Sequence, residues 1–249
     1  MLTIDNVTFE YTPGRGIRGA SLRLQPGETV GVVGGNGAGK STLLGLAAAA
    51  LVPQAGRVEL ALSELSGRTR RYQSDVGIRY RQHVGYLTEL APVYGEMSVV
   101  GYLRFRARLR GISFLRIRRS VNRAMERCGL QALRRESVGR LSLGLRRRVA
   151  LAEALLSLPE VLVLDDPFAG IDATLRASLA EVIRDVAARS HVLISGHDPE
   201  MLASCCTRFV LVEKGRIVAD NLSPEAARAH LCLRKPEETA EPAKKEATK

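Results

Sequence analysis

Residues 2–11 alternate apolar and polar side chains, with Leu2, Ile4, Val7 and Phe9 set against Thr3, Asp5, Thr8 and Glu10. That pattern predicts a strand with one buried face, as in an antiparallel edge sheet. Residues 14–19 read as a turn, 20–24 as a second strand, and Pro26-Gly27-Glu28 as another turn. Thr29-Val30-Gly31-Val32-Val33 drops the alternation and reads as a short buried strand, with a helix over 41–51 after it. Pro53-Gln54-Ala55-Gly56 turns the chain into a strand over 57–62. Residues 63–82 are polar, rich in Arg and without period, so they read as a loop or a short extra hairpin, and 84–87 as a buried strand.

From 98 to about 135 the period becomes helical, with Val99, Leu103 and Leu109 recurring, Gly111 as a break, and 121–128 continuing. Helices are thus inserted into an α/β domain. Residues 161–164 return to a buried strand of the parallel type, followed by a helix over 174–189, a strand over 191–195 and a helix over 199–206. Two last strands, 209–213 and 216–219, turn at Lys214-Gly215. After Arg234 there is no large apolar side chain. The expected organisation is one domain over 1–233, with a helical insertion at about 91–148, and a disordered charged tail over 234–249.

With 249 residues, 45% of them hydrophobic, the chain has ample material for a packed core. No apolar run reaches the roughly 20 residues that span a bilayer. Residues 1–10 show neither a basic n-region nor an h-region, so a cytoplasmic protein is expected. Cys128, Cys205, Cys206 and Cys232 lack metal-type spacing and read as small hydrophobes. Charge is more telling by place than by total. Residues 101–150 hold fifteen arginines against two glutamates, Glu126 and Glu136, in a chain whose net charge is +11. Such a field is either a solvated helical face or the mark of an anionic neighbour, nucleic acid or a membrane surface.

The chemistry is concentrated in Gly34-Gly35-Asn36-Gly37-Ala38-Gly39-Lys40-Ser41-Thr42, between a buried strand and a helix start. Glycines let the backbone curl so that N–H groups and the helix N-terminus form a nest for phosphate oxygens. Lys40 brings a mobile positive charge to the β- and γ-phosphates, and the Ser41 hydroxyl is placed to ligate Mg²⁺. A phosphate loop needs a second acidic strand for the metal's water shell, and Asp165 ends one. Ser142 stands as an N-cap where another helix opens, so a hydroxyl, N–H groups and the positive dipole end face outward together.

In order and spacing, these elements resemble the nucleotide-binding domain of ABC transporters over residues 2–231. Residues 34–41 match the family's Walker A, 141–145 its signature, 161–166 its Walker B, Ala169-Gly170-Ile171-Asp172 its D-loop and His197 its switch histidine. The resemblance implies a P-loop NTPase fold with a mixed central sheet, an N-terminal antiparallel β subdomain and an inserted helical subdomain. It implies an ATPase using ATP and Mg²⁺, and a dimer of two such domains with two ATP molecules between them, the phosphate loop of one facing Ser142 and Gly144 of the other. Tyr11 falls where the family stacks an aromatic on adenine, and Glu89 at the Q-loop, which senses Mg²⁺ and the transmembrane partner. The runs 84–89 and 94–99 look like the subfamily that works with ABC-2 type exporter permeases.

Three features depart from the family pattern. Asp166 stands where the family's catalytic base is glutamate, drawing the carboxylate back by one methylene. A displacement of more than 1 Å can lower a rate about 100-fold. Leu143 and Leu145 replace the signature's usual first glycine and glutamine, and the D-loop reads Ala-Gly-Ile-Asp in place of Ser-Ala-Leu-Asp. The leading expectation is an ATPase on the cytoplasmic face of the membrane, driving permease subunits in the direction of export. The alternative is an ATP-binding regulatory subunit with little turnover. An ATP-driven nucleic-acid protein is disfavoured, because there is one nucleotide domain and no DNA-reading motif.

Overall fold

The computed structural model describes residues 1–63, 68–75, 77–90 and 92–233. The expected tail from 234 lies outside the described residues. Strands β1 (Leu2–Thr12), β2 (Arg15–Leu24), β4 (Ala55–Ser63) and β5 (Thr69–Gln73) form an antiparallel sheet in the order β2-β1-β4-β5. Strands β3 (Thr29–Val33), β6 (Val84–Leu87), β7 (Val161–Leu164), β8 (His191–Gly196), β9 (Arg208–Glu213) and β10 (Arg216–Leu222) form a second sheet, in the order β10-β9-β3-β8-β7-β6. It is mixed: β10 runs antiparallel to β9, and the other pairs are parallel.

Strands β3, β7 and β8 are buried along their whole length, which is why their sequences are nearly pure apolar runs, with Thr29, His191 and Ser195 the polar residues buried in them. Their side chains alternate between two cores. Val30, Val32, Val161, Val163 and Leu193 join α1 (Lys40–Ala47) and the antiparallel sheet. Val33, Leu162, Leu164, Val192 and Ile194 meet the helices of the other face. These include α5 (Leu143–Ala154), α6 (Ala173–Ala187) and α7 (Pro199–Ala203).

Between β6 and α5 lie α3 (Val99–Leu109) and α4 (Phe114–Arg127), with Gly111 at φ +71 between them. Glu153 of α5 ties α3 down. It accepts hydrogen bonds from the Tyr102 hydroxyl and from Arg106 Nε, the latter at 2.7 Å. Arg110 donates to the Val84 carbonyl at 3.1 Å, joining the end of α3 to the central sheet.

Four elements differ from the sequence reading. The turn expected over 14–19 is shorter, and β2 begins at Arg15. Its glycines serve irregular pairing with β1, and a Cβ on Gly16 would lie 2.0 Å from the Phe9 carbonyl oxygen. Helix α1 stops at Ala47 and not at 51: Ala49 takes φ +53, and the N–H groups of Ala50 and Leu51 both bond the Gly45 carbonyl. The segment 63–82 contains the hairpin alternative, since β5 pairs with β4, and then a short helix α2 (Ile78–Arg81). Buried Tyr80 anchors it by donating to the Ala47 carbonyl at 2.6 Å. Helix α8 (Pro224–Leu233) was not foreseen; it packs on β9 and α7.

Candidate nucleotide site

The loop between β3 and α1 is fixed by close backbone contacts that demand glycine. A Cβ on Gly34 would lie 2.2 Å from the Val212 carbonyl oxygen, and one on Gly39, at φ +108, would lie 2.8 Å from that of Gly16. Gly215 at the β9–β10 turn donates to the Ala38 carbonyl at 2.9 Å. Gly35, Asn36 and Gly37 are exposed at the loop's outer edge, and buried Thr42 follows on α1. Lys40 is 8% exposed, and its ammonium donates to the carbonyls of Gly34 and Gly35 at 2.8 and 2.9 Å. Burial lowers the Lys40 pKa, opposed by the charges of Asp166, Asp165 and Glu89. A triphosphate entering the loop would meet a desolvated cation and could replace those carbonyls as its partners.

The phosphate loop and the acidic strand meet as the spacing required. Ser41 Oγ donates to Asp165 Oδ1 at 3.2 Å, across 124 residues of chain. A hydroxyl and a carboxylate that converge at the helix start form a hard-oxygen donor set, which fits Mg²⁺. Asp166 follows at φ +45, and its carboxylate Oδ2 lies 2.9 Å from His197 Nε2.

Two residues of this centre were missed from sequence. Ser195 is fully buried; its hydroxyl donates to Asp165 Oδ1 at 2.6 Å and accepts the Asp166 N–H at 2.9 Å. Arg147, buried on α5, donates to the Asp166 carbonyl at 2.7 Å and so holds its left-handed backbone. The available signal for Ser195 was its place two residues before His197, on a strand beside β7.

The other expected residues fall into a second group. Ser142 caps α5, accepting from the Leu145 N–H at 3.4 Å, and Asp172 caps α6, accepting from that of Leu175 at 2.9 Å. Gly144 is buried where a Cβ would lie 2.0 Å from Leu175 Cδ2, so it lets α5 meet α6. Leu143 packs towards Gly170. Asp166, Ala169, Gly170, Ile171 and His197 line one crevice of about 240 Å³. Glu89 is exposed and reaches the centre through its charge on Lys40. Tyr11 is 62% exposed and stands edge-on to Phe9, with ring centroids 5.0 Å apart.

The family model described as ABC transporter matches residues 17–169. A putative ABC transporter ATP-binding protein of Gloeobacter violaceus is 35% identical over 229 residues, 90% of either chain. The chain belongs to the ABC transporter ATPases. Its relatives work in both directions by name. A Nod factor export ATP-binding protein I of Burkholderia pseudomallei is 33% identical over 82% of this chain and 65% of its own. A sulfate/thiosulfate import ATP-binding protein of Mesostigma viride is 31% identical over 87% and 60%. Among solved structures, an ATP-binding subunit of an ABC transporter superposes with a TM-score of 0.77 at 24% identity, over 92% of this chain and 93% of that one. This ABC ATPase is the ATP-binding, ATP-hydrolysing part of a membrane transporter, and no described helix is long and apolar enough to cross a membrane.

Proposed function

We propose that this ABC ATPase dimerises on ATP and drives separate permease subunits of an exporter from the cytoplasmic face. The observation that carries the reading is the Ser41–Asp165 contact at 3.2 Å, which unites the phosphate loop with the acidic strand. In this reading residues 34–42 cradle the triphosphate and Lys40 turns from its carbonyl partners to the β- and γ-phosphates. Mg²⁺, held by Ser41 and Asp165, with Glu89 acting through water, would offset phosphate charge. Asp166 orients the attacking water and takes its proton, and His197 beside it contacts the γ-phosphate. Tyr11 stacks on adenine, while Ser142 and Gly144 meet the nucleotide held by the other subunit and Asp172 lies along the same interface. Support for export comes from the resemblance of residues 84–99 to ABC-2 exporter ATPases.

The permease would seat in a cleft of about 520 Å³ between the sheet and the helical insertion, lined by Ala48, Ile78, Tyr86, Leu109 and Arg110. Ile78 and Leu109 leave its rim apolar and exposed. A held-ATP subunit with little turnover is the second reading, favoured by the shortened Asp166 side chain and its pairing with His197.

Size-exclusion chromatography tests the dimer. Asp166→Asn with Mg-ATP should elute as a dimer, and Asp166→Asn/Lys40→Ala as a monomer. A monomer in both would overturn ATP-driven dimerisation.

A further inference from the structure

Helix α4 buries one stripe, Ile117, Val121, Ala124 and Met125, against the rest of the domain. Phe114 and Leu115 lie outside it in the first turn, 79% and 88% exposed. Neither adds to the core, so folding does not explain an adjacent pair of large apolar side chains at a helix corner. Leu115, Arg119, Arg123 and Arg127 recur every four residues and form one row, exposed at Leu115, Arg119 and Arg127 and half-buried at Arg123. Arg116 and Arg118 are exposed beside it, and Arg104 and Arg108 repeat the spacing on α3.

Like charges four apart on a helix repel each other. At half-buried Arg123 the pKa is lowered first by burial and then by the charges of Arg127 and Arg119. Glu126 is the single acid of α4. Among the described residues, none of Arg104, Arg108, Arg116, Arg118, Arg119, Arg123 and Arg127 has a salt-bridge partner. Among the described residues, therefore, a row of cations has no neutralising partner, next to two side chains that stay unburied. Phosphate would satisfy the first feature, and phosphate lying over hydrocarbon would satisfy both.

The geometry points to an anionic lipid surface as the partner of α4: Phe114 and Leu115 enter the interfacial layer, and Arg116, Arg118, Arg119 and Arg123 lie on lipid phosphates. This rests on the reading that the chain works beside a membrane permease, and it places a second, permease-independent contact on the helical insertion. A nucleic acid would meet the arginine row but leave Leu115, on the same row, without an apolar partner.

The test uses the purified full chain and vesicles of phosphatidylcholine with and without phosphatidylglycerol, followed by sedimentation. Wild type should sediment with the anionic vesicles only, and less so in high salt. Arg116→Gln/Arg118→Gln/Arg119→Gln should lose affinity about fivefold per arginine, about 100-fold in all. Phe114→Ser/Leu115→Ser should weaken binding while leaving its dependence on anionic lipid. ATP binding by both variants should equal wild type, since none of the five residues touches the nucleotide loop. The proposal is overturned if wild type ignores phosphatidylglycerol, if the arginine variant binds vesicles as wild type does, or if a single-stranded RNA binds the same arginines more tightly and displaces the vesicles. ATP-dependent dimerisation measured on the same samples separates the two ideas: a dimer that does not bind vesicles sinks only the lipid contact.

Discussion

Ser195 joins the two aspartates of the site with a single hydroxyl, donating to one and accepting from the backbone of the next. Ser195→Ala would leave the buried Asp166 N–H without a partner and leave the Asp165 carboxylate held, among the described residues, by Ser41 alone. We expect a loss of about 1–3 kcal/mol in urea denaturation, with Ser195→Thr closer to wild type. A fall of less than half that range for Ser195→Ala would show that water takes the hydroxyl's place. The contrast with Lys40 and Ser41 explains what could be read from sequence at this scale. Their chemistry is local, because glycines, cation and hydroxyl follow one another within nine residues of a strand end. Ser195 and Arg147 meet the aspartates only through the register of β8 beside β7 and the packing of α5 over that strand's end. Neither residue carries a spacing that announces its partner.

Among the elements, the contact of α5 with α6 depends on Gly144 more than its place in the signature suggested. A Cβ there falls 2.0 Å from Leu175 Cδ2, inside any tolerable approach. Gly144→Ala would displace the end of the half-buried Leu175 side chain, at a cost of about 0.5–1.5 kcal/mol. Leu175→Ala in the same chain should recover part of it, a coupling that a double-mutant cycle in chemical denaturation measures. Additive costs would mean that Gly144 matters for another reason. The pattern of apolar positions located β3, β6, β7 and β8 because buried parallel strands are nearly pure apolar runs. It placed Ser142 as the cap of α5, which the structure bears out. It failed where tertiary contacts override local cues: the glycines of β2 act in strand pairing, and the alanine run 47–50 leaves the helix at Ala49.

At the scale of the whole molecule, the central sheet holds the phosphate loop at the carboxyl end of β3 and both aspartates at that of β7, with β8 between them. The antiparallel sheet braces the loop through Gly16, and the helical insertion is tied to α5 by Glu153 and to the sheet by Arg110. Arg147 runs from the helix that begins at Ser142 to the backbone of Asp166, so a shift of that helix is felt at the candidate base. In this reading the centre hydrolyses ATP with a carboxylate drawn back by one methylene. Steady-state phosphate release from Mg-ATP, in wild type, Asp166→Glu and Lys40→Ala with ATP binding checked in each, tests it most directly. Wild type should turn over well above Lys40→Ala, and Asp166→Glu should gain up to about 100-fold. Wild type that binds ATP yet releases phosphate no faster than Lys40→Ala would contradict it.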